Sequence, residues 1–116
     1  MSKFKIITFG CKVNAYESEG FKEDLLSKGF VEAKNDGEAD ICIVNTCAVT
    51  STAERKCLQA VRRMSKANPN ISIGVVGCSS QINKDKYLEI SGVKTVYGNT
   101  EKSRVVQDLI KEVNTD

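Results

Sequence analysis

Short, almost purely apolar runs alternate along the chain with longer segments whose apolar residues recur every three or four positions. The uninterrupted run Ile41-Cys42-Ile43-Val44 is typical of a strand covered on both faces. Helical spacing places Ser18, Phe21 and Leu25 on one buried face. The predicted strands are Phe4–Phe9, Phe30–Ala33, Ile41–Val44, Ile71–Val76 and Thr95–Tyr97. The predicted helices are Asn14–Lys28, Thr50–Asn68, Asn83–Ile90 and a last one from Thr100 or Ser103 to Val113.

Polar residues at the helix ends support these boundaries. Asn14 followed by Glu17 resembles a capping box, and so does Thr50-Ser51-Thr52 before Glu54. Pro69 ends the second helix. Because strands and helices alternate throughout, the predicted fold class is α/β. We expect an open, mostly parallel sheet with helices on both faces, a flavodoxin-like or Rossmann-like three-layer arrangement.

Composition bounds the domain count and the compartment. A chain of 116 residues with 41% hydrophobic and 28% charged residues is predicted to form one domain over residues 1–116. No apolar run approaches the roughly 20 residues of a membrane span, and the start of the chain has no secretory signal. We therefore expect a cytoplasmic protein without a membrane partner. Its net charge of +2 is too balanced to indicate nucleic-acid binding.

The five cysteines and the absence of histidine direct attention to sulfur chemistry. An odd number of cysteines in a reducing compartment favours metal binding or thiol chemistry over disulfides. Cys42 lies inside a predicted strand, and Cys57 shares a helical stripe with Val61 and Met64, so both are predicted core residues. Cys57 and Arg63 also match the Cys-x5-Arg phosphatase signature. That chemistry needs a glycine-rich loop rather than a helix interior, so we interpret the match as accidental.

The other three cysteines each follow a predicted strand. Cys11 and Cys78 come directly after a glycine, and Cys47 comes after Asn45-Thr46. Since the carboxyl ends of parallel strands share one edge of a sheet, we expect the three thiols to converge there. Three thiolates can hold a 4Fe-4S cube and leave one iron open, whereas structural zinc usually takes four protein ligands. Separated cysteines are also commonly core residues or spare thiols, and placement alone leaves these readings open.

The residues around these cysteines resemble the amino-terminal domain of the radical S-adenosylmethionine tRNA methylthiotransferases. The resemblance covers essentially the whole chain and rests on Phe9–Glu19, Val44–Thr50 and Val76–Gln81. Within the family, Cys11-Lys12-Val13-Asn14 and Ala53-Glu54-Arg55-Lys56 are most similar to the enzymes that act on threonylcarbamoyladenosine (t6A) in tRNA. Ser79 and Ser80 are smaller than the aromatic and alanine residues typical of that subfamily, which puts in doubt how this loop packs.

The resemblance implies a function for the three cysteines. In the family, the residues matching Cys11, Cys47 and Cys78 bind an auxiliary 4Fe-4S cluster whose open iron is thought to present the sulfur inserted as a methylthio group. The modified base is a hypermodified adenosine next to the anticodon. A second 4Fe-4S cluster and S-adenosylmethionine belong to a radical barrel whose Cys-x3-Cys-x2-Cys motif this sequence lacks. We therefore expect a domain of a longer transferase, inactive in isolation, whose partners are tRNA and its own radical barrel. The barrel and a carboxyl-terminal RNA-binding domain are expected outside this chain.

Other polar residues have two readings each. Asn14 and Asn45 either donate hydrogen bonds to cluster sulfurs or serve as cap and turn residues. Positive charge along the second helix suggests a phosphate contact, but a solvated helix face is favoured because charged runs usually solvate surfaces. The residues concerned are Arg55, Lys56, Arg62, Arg63 and Lys66.

Three alternative functions remain. The chain could be a methylthiotransferase domain of another substrate subfamily. A flavodoxin-like phosphocysteine carrier would use Cys11 as its phosphoryl acceptor. A flavodoxin-like redox or regulatory module would bind flavin beside the first loop. The segment Lys12–Tyr16 argues against the last two, since it lacks the glycines and hydroxyl groups of a phosphate cradle.

Overall fold

A computed structural model describes residues 3–10, 12–46, 51–77, 84–98 and 104–114 of the chain. The strands are β1 (Lys3–Thr8), β2 (Val31–Glu32), β3 (Ile41–Thr46), β4 (Ser72–Gly77) and β5 (Val93–Tyr97). The helices are α1 (Lys12–Ser27), α2 (Ser51–Ala67), α3 (Lys84–Leu88) and α4 (Val105–Asn114). A short 3-10 helix at Asp36–Glu38 precedes β3, and the side chain of Asn35 caps it by accepting from the Glu38 amide. No helix in these described ranges is both long and apolar enough to cross a membrane.

The five strands form one sheet in the order β2-β1-β3-β4-β5, and every neighbouring pair is parallel. This order is that of flavodoxin-like doubly wound folds. The central strand β3 is buried along its whole length, as its uninterrupted apolar run predicts. The predicted α/β class with a parallel sheet is confirmed.

Two hydrophobic cores cover the two faces of the sheet. Alternate side chains of β3 point to opposite faces, because successive residues of a strand do so. Cys42 and Val44 belong to the core beneath α2 and α3, whereas Ile41 and Ile43 belong to the core beneath α1 and α4. Helices therefore lie on both faces, which confirms the predicted three-layer arrangement. The helical residues of these cores include Phe21 and Leu25 of α1, Cys57, Val61 and Met64 of α2, Tyr87 of α3, and Val105 and Leu109 of α4.

The start of α1 differs from the prediction, whereas its closing at Lys28-Gly29 is confirmed. The helix begins at Lys12, so Asn14 lies in its first turn and the predicted capping box at Asn14 is wrong. The side chain of Asn14 instead reaches back to carbonyl groups of the sheet. The helix ends at Ser27, and Gly29 follows with a positive φ of 92°. For α2, the structure describes the start at Ser51, and the predicted cap residue Thr50 lies outside the described residues.

Candidate functional site

The carboxyl ends of β1, β3 and β4 lie level at one edge of the sheet, which we call the carboxyl edge. Thr8 of β1 pairs with Asn45 of β3, and Thr46 of β3 pairs with Gly77 of β4. One residue beyond β1, the amide of Phe9 still donates to the carbonyl oxygen of Asn45 at 2.9 Å. Three adjacent parallel strands therefore end together. Each leads into a segment that contains Cys11, Cys47 or Cys78, and we call these the three cysteine segments.

The predicted ligands Cys11, Cys47 and Cys78 lie outside the described residues, as do Ser79 and Ser80. The residues immediately before the three cysteines are Gly10, Thr46 and Gly77, and all three are described. Neighbouring strands of a sheet are about 4.8 Å apart, so the ends of β1 and β4 are separated by roughly twice that distance. The three cysteine segments consequently start from one short stretch of the carboxyl edge.

The side chain of Asn14 ties two of these strand ends together. Its amide nitrogen Nδ2 donates to the carbonyl oxygen of Phe9 at 2.7 Å and to that of Thr46 at 3.2 Å. Both carbonyl groups lie within two residues of a predicted ligand. Of the two roles considered for Asn14, the structure assigns the amide hydrogens to the backbone. Asn14 thus holds the first turn of α1, the end of β1 and the end of β3 in one arrangement.

Behind Asn14, neutral polar groups continue the network into the protein. Asn45 is fully buried, and its Nδ2 donates to the carbonyl oxygen of Asn14 at 3.1 Å and lies 3.5 Å from the hydroxyl of Ser18. The hydroxyl oxygens of Ser18 and Thr8 are 2.7 Å apart. Buried polar groups are costly unless they are hydrogen-bonded, so this network specifies how α1 sits against the strand ends.

Thr46 and Gly77 determine the other half of the carboxyl edge. The Thr46 hydroxyl donates to the carbonyl oxygen of Val76 at 2.7 Å, and this hydrogen bond joins β3 to β4. Val76 lies two residues before Cys78 in the sequence. Gly77 has a φ of 107°, and a Cβ atom there would lie 2.5 Å from the carbonyl oxygen of Thr46. Gly10 has a φ of 98°. Only glycine adopts such backbone angles readily, so both turns into the cysteine segments depend on it.

Cys42 and Cys57 are core residues, as predicted, and both are fully buried. Burial raises the pKa of the Cys42 thiol to about 12, because an apolar surrounding disfavours the thiolate. The thiolate is the form that binds metals, so Cys42 is a poor ligand. Within the part of the chain that the structure describes, no three His, Cys, Asp or Glu side chains are grouped to hold a metal ion.

Sequence reasoning missed the roles of Ser18 and Thr46. Ser18 was predicted as a buried position on the inner face of α1, which is confirmed, but its hydroxyl contacts were not foreseen. The signal available for Thr46 was a hydrogen-bonding side chain at the last position of a buried strand, directly before a cysteine.

Comparison with known proteins gives a consistent result. Residues 3–98 match the uncharacterized protein family UPF0004. The chain is 36% identical over 107 residues to the threonylcarbamoyladenosine tRNA methylthiotransferase MtaB of Chlamydia pneumoniae. It is 43% identical over 98 residues to the protein of that name in Rickettsia prowazekii. It is also 44% identical over 84 residues to the tRNA-2-methylthio-N(6)-dimethylallyladenosine synthase of Pelotomaculum thermopropionicum. The similarity to tRNA methylthiotransferases predicted from the three cysteine segments is confirmed.

The matches cover most of this chain but only a small part of each relative. The three alignments cover 91%, 84% and 70% of this chain but only 25%, 21% and 19% of the respective relatives. The chain thus spans a quarter or less of the length of these three relatives. The family match, by contrast, covers most of the chain, from the start of β1 to the residue after β5. The chain therefore belongs to the protein family UPF0004.

Proposed function

We propose that this chain is the auxiliary cluster-binding domain of a tRNA methylthiotransferase, with Cys11, Cys47 and Cys78 as the three thiolate ligands of a 4Fe-4S cluster. The observation that carries the proposal is the level ending of β1, β3 and β4, from which the three cysteine segments start. The similarity to relatives named as tRNA methylthiotransferases supports it independently.

The donor set and its surroundings fit such a cluster. Three thiolates are soft ligands suited to iron-sulfur clusters, and they leave one of the four irons without a protein ligand. When bound, the cluster supplies that open iron as a site for the sulfur to be transferred. The described network at the carboxyl edge consists of neutral amides and hydroxyls.

The residues of this chain act by position. Asn14 holds the ends of β1 and β3 at a constant separation through its two backbone hydrogen bonds, and Thr46 does the same for β3 and β4. Gly10 and Gly77 let the backbone turn into the cysteine segments. The proposed contribution of the fold is to bring three thiols to one place while leaving the fourth iron of the cluster without a protein ligand.

The wider activity belongs to the longer protein of which we take this chain to be part. We propose that it inserts a methylthio group into t6A of tRNA in the cytoplasm, using a second 4Fe-4S cluster and S-adenosylmethionine bound outside this chain. The t6A preference follows the motif around Cys11 and the names of two of the relatives described above. Nucleoside mass spectrometry of tRNA from cells lacking the full-length protein tests it. Methylthio groups should be missing from t6A and retained on dimethylallyladenosine, and the opposite pattern would reassign the substrate.

The ligand assignment is tested by anaerobic reconstitution of the chain with iron and sulfide, followed by counting iron and acid-labile sulfide. Wild-type protein should retain about four irons per chain. Alanine substitution of Cys11, Cys47 or Cys78 should abolish this retention. The matched controls are Cys42→Ala and Cys57→Ala, which remove core thiols and should leave the iron count unchanged.

Two results would overturn the assignment. Loss of iron from a core variant together with full retention by Cys47→Ala would show that the ligands are misassigned. Retention of no iron by the folded wild-type chain under any condition would remove the cluster function and favour the carrier or regulatory alternatives.

A further inference from the structure

Charge is distributed unequally between the two helical layers. α2 contains five Lys or Arg residues and one Glu, whereas α1 contains two Lys and four Asp or Glu residues. The two helices lie on opposite faces of the sheet. The nearly neutral net charge of the chain therefore conceals a basic face and an acidic face.

The cations on the two faces also differ in their partners. On the acidic face, Lys22 pairs with Glu32 at 3.6 Å and Lys28 pairs with Asp24 at 2.7 Å. On α2, Arg63 pairs with Asp36 at 3.2 Å. Among the described residues, no carboxylate lies within ion-pair distance of four exposed cations that lie toward the gap between α2 and α3. These four, which we call the basic surface, are Arg55, Arg62 and Lys66 of α2 and Lys86 of α3.

The geometry of α2 sorts its charges into two stripes. Arg55, Arg62 and Lys66 are separated by seven and four residues, a spacing that places them on one side of a helix. They form a row about 16 Å long, given 1.5 Å of rise per residue. Lys56 and Arg63 lie on a neighbouring stripe, from which Arg63 pairs with Asp36. The cations of α2 are thus divided between two stripes.

A groove beside this row adds a second element. It lies between α2 and α3, has a volume of about 320 Å³, and is lined by Arg62, Ser65, Lys66, Lys86, Glu89 and Ile90. The Ser65 hydroxyl donates to the carbonyl oxygen of Ser91, which joins α2 to the turn before β5. Three cations and one carboxylate line the groove. It is therefore suited to an anion, and its position is set by the packing of two helices.

We propose that the basic surface binds the phosphate backbone of RNA. Unpaired Lys and Arg side chains in a row are the features that phosphate contacts require, and such contacts position a nucleic acid without reading its bases. A membrane fits less well, because three of the four large hydrophobic residues that are exposed in the described part of the chain lie on α1, and the fourth, Leu88, lies on the basic side. The choice of RNA over another polyanion rests on the proposed function as part of a tRNA-modifying enzyme.

The course of α2 relates this surface to the carboxyl edge. α2 joins the carboxyl end of β3 to the amino end of β4, so Arg55 lies toward the carboxyl edge and Lys66 toward the opposite edge. RNA bound along the row would thus be held with one end near the three cysteine segments. The basic surface holds the backbone, and the target base is left to the carboxyl edge.

The test compares two triple variants of the chain that lose the same charge. Arg62→Gln, Lys66→Gln and Lys86→Gln alter the basic surface, whereas Lys22→Gln, Lys28→Gln and Lys34→Gln alter exposed or half-exposed lysines elsewhere. Binding of an unmodified tRNA transcript is measured between 50 and 200 mM salt. If the basic-surface variant loses three phosphate contacts, its affinity should depend less on salt than that of the wild type. The ratio of wild-type affinity to variant affinity should then be about 20- to 40-fold larger at 50 mM salt than at 200 mM salt. The control variant should show a small, nearly constant ratio, and thermal unfolding should be alike for both.

Iron retention measured on the same proteins separates this proposal from the proposed function. If the folded basic-surface variant binds tRNA as tightly as the wild type does, the proposal that this surface binds RNA is overturned, whether or not iron is bound. Binding of anionic phospholipid vesicles through these residues without binding of tRNA would overturn it as well. Loss of RNA binding by that variant, in a chain that retains no iron, would support the RNA surface while removing the cluster function.

Discussion

The two edges of the sheet are held together by different chemistry. At the opposite edge, where the strands begin and which we call the amino edge, ion pairs join β1 and α2 to the loop before β3. Lys3 pairs with Glu38 at 3.2 Å, and Asp36 pairs with Lys5 and Arg63. At the carboxyl edge, the equivalent connections are made by neutral side chains, chiefly Asn14 and Thr46. The same sheet thus has one charged edge and one edge whose described network is uncharged.

This difference separates stabilising contacts from contacts that build a site. Ion pairs near the surface contribute little each and tolerate small displacements, which is sufficient for holding a loop. A network of amides and hydroxyls that bind backbone carbonyls fixes the strand ends more closely, since each donor has a defined direction. We expect changes at the carboxyl edge to affect iron binding, and changes at the amino edge to affect stability alone.

The largest effect is expected from Gly77→Ala at the carboxyl edge. The new Cβ would lie 2.5 Å from the backbone oxygen of Thr46, at a φ of 107° that alanine adopts only under strain. Stability should fall by about 2 kcal/mol or more, and iron retention should be lost. Denaturant unfolding and iron counting measure both effects. The matched control is Gly20→Ala in α1, where the added Cβ would contact no atom within 4 Å outside the neighbouring backbone. This variant should be more stable than the wild type by about 0.5–1 kcal/mol. Equal behaviour of the two variants would contradict this account.

A smaller effect is expected from Asn14→Ala, which removes two hydrogen bonds to strand-end carbonyls. The free energy of unfolding should fall by about 1–2 kcal/mol, and reconstituted iron should be released faster. Asn68→Ala is the control at the amino edge. The side chain of Asn68 donates to the carbonyl oxygen of Ala39 at 2.9 Å and accepts from the amide of Asn70 at 3.0 Å. It should cost a similar amount while leaving iron release unchanged. Equally fast iron release from both variants would contradict the expectation that only the carboxyl edge affects iron binding.

The smallest effect is expected from Asp36→Asn at the amino edge. The hydrogen bond from Lys5, followed by the positive charges of Lys5 and Arg63, lowers the pKa of Asp36 below its ordinary value. A carboxylate with a lowered pKa stabilises the folded state above pH 4 or so, and this contribution disappears as the pH falls through its pKa in the folded protein. At pH 7 the variant should be less stable by about 0.5–1 kcal/mol.

Unfolding measured from pH 7 to pH 3 checks this prediction. The difference in stability between Asp36→Asn and the wild type should narrow as the pH falls below 4 or so, and iron retention at pH 7 should be unaffected. Glu32→Gln, which removes the exposed pair with Lys22, should change stability by less than about 0.5 kcal/mol throughout. A difference between Asp36→Asn and wild type that stays the same size from pH 7 down to pH 3 would show that the carboxylate charge is not the cause.

The sequence by itself determined the layered fold and the burial of two of the five cysteines. An uninterrupted apolar strand, helical stripes and cap residues depend on neighbours within a few positions, so they can be read along the chain. β3 and the buried face of α2 were predicted in this way, and so was the burial of Cys42 and Cys57. The order of strands and helices sufficed to predict the parallel sheet.

The tertiary structure alone decided how distant residues meet. Asn14 looked like a helix cap because its local signal is a capping one, yet the packing of α1 turns its side chain toward carbonyls that include one 32 residues away in sequence. The contact of Thr46 with Val76 and the division of the domain into a basic and an acidic face likewise depend on which elements are neighbours. A hydrogen bond or a charged surface is a relation between positions in space, and local sequence patterns carry no information about separations of that kind.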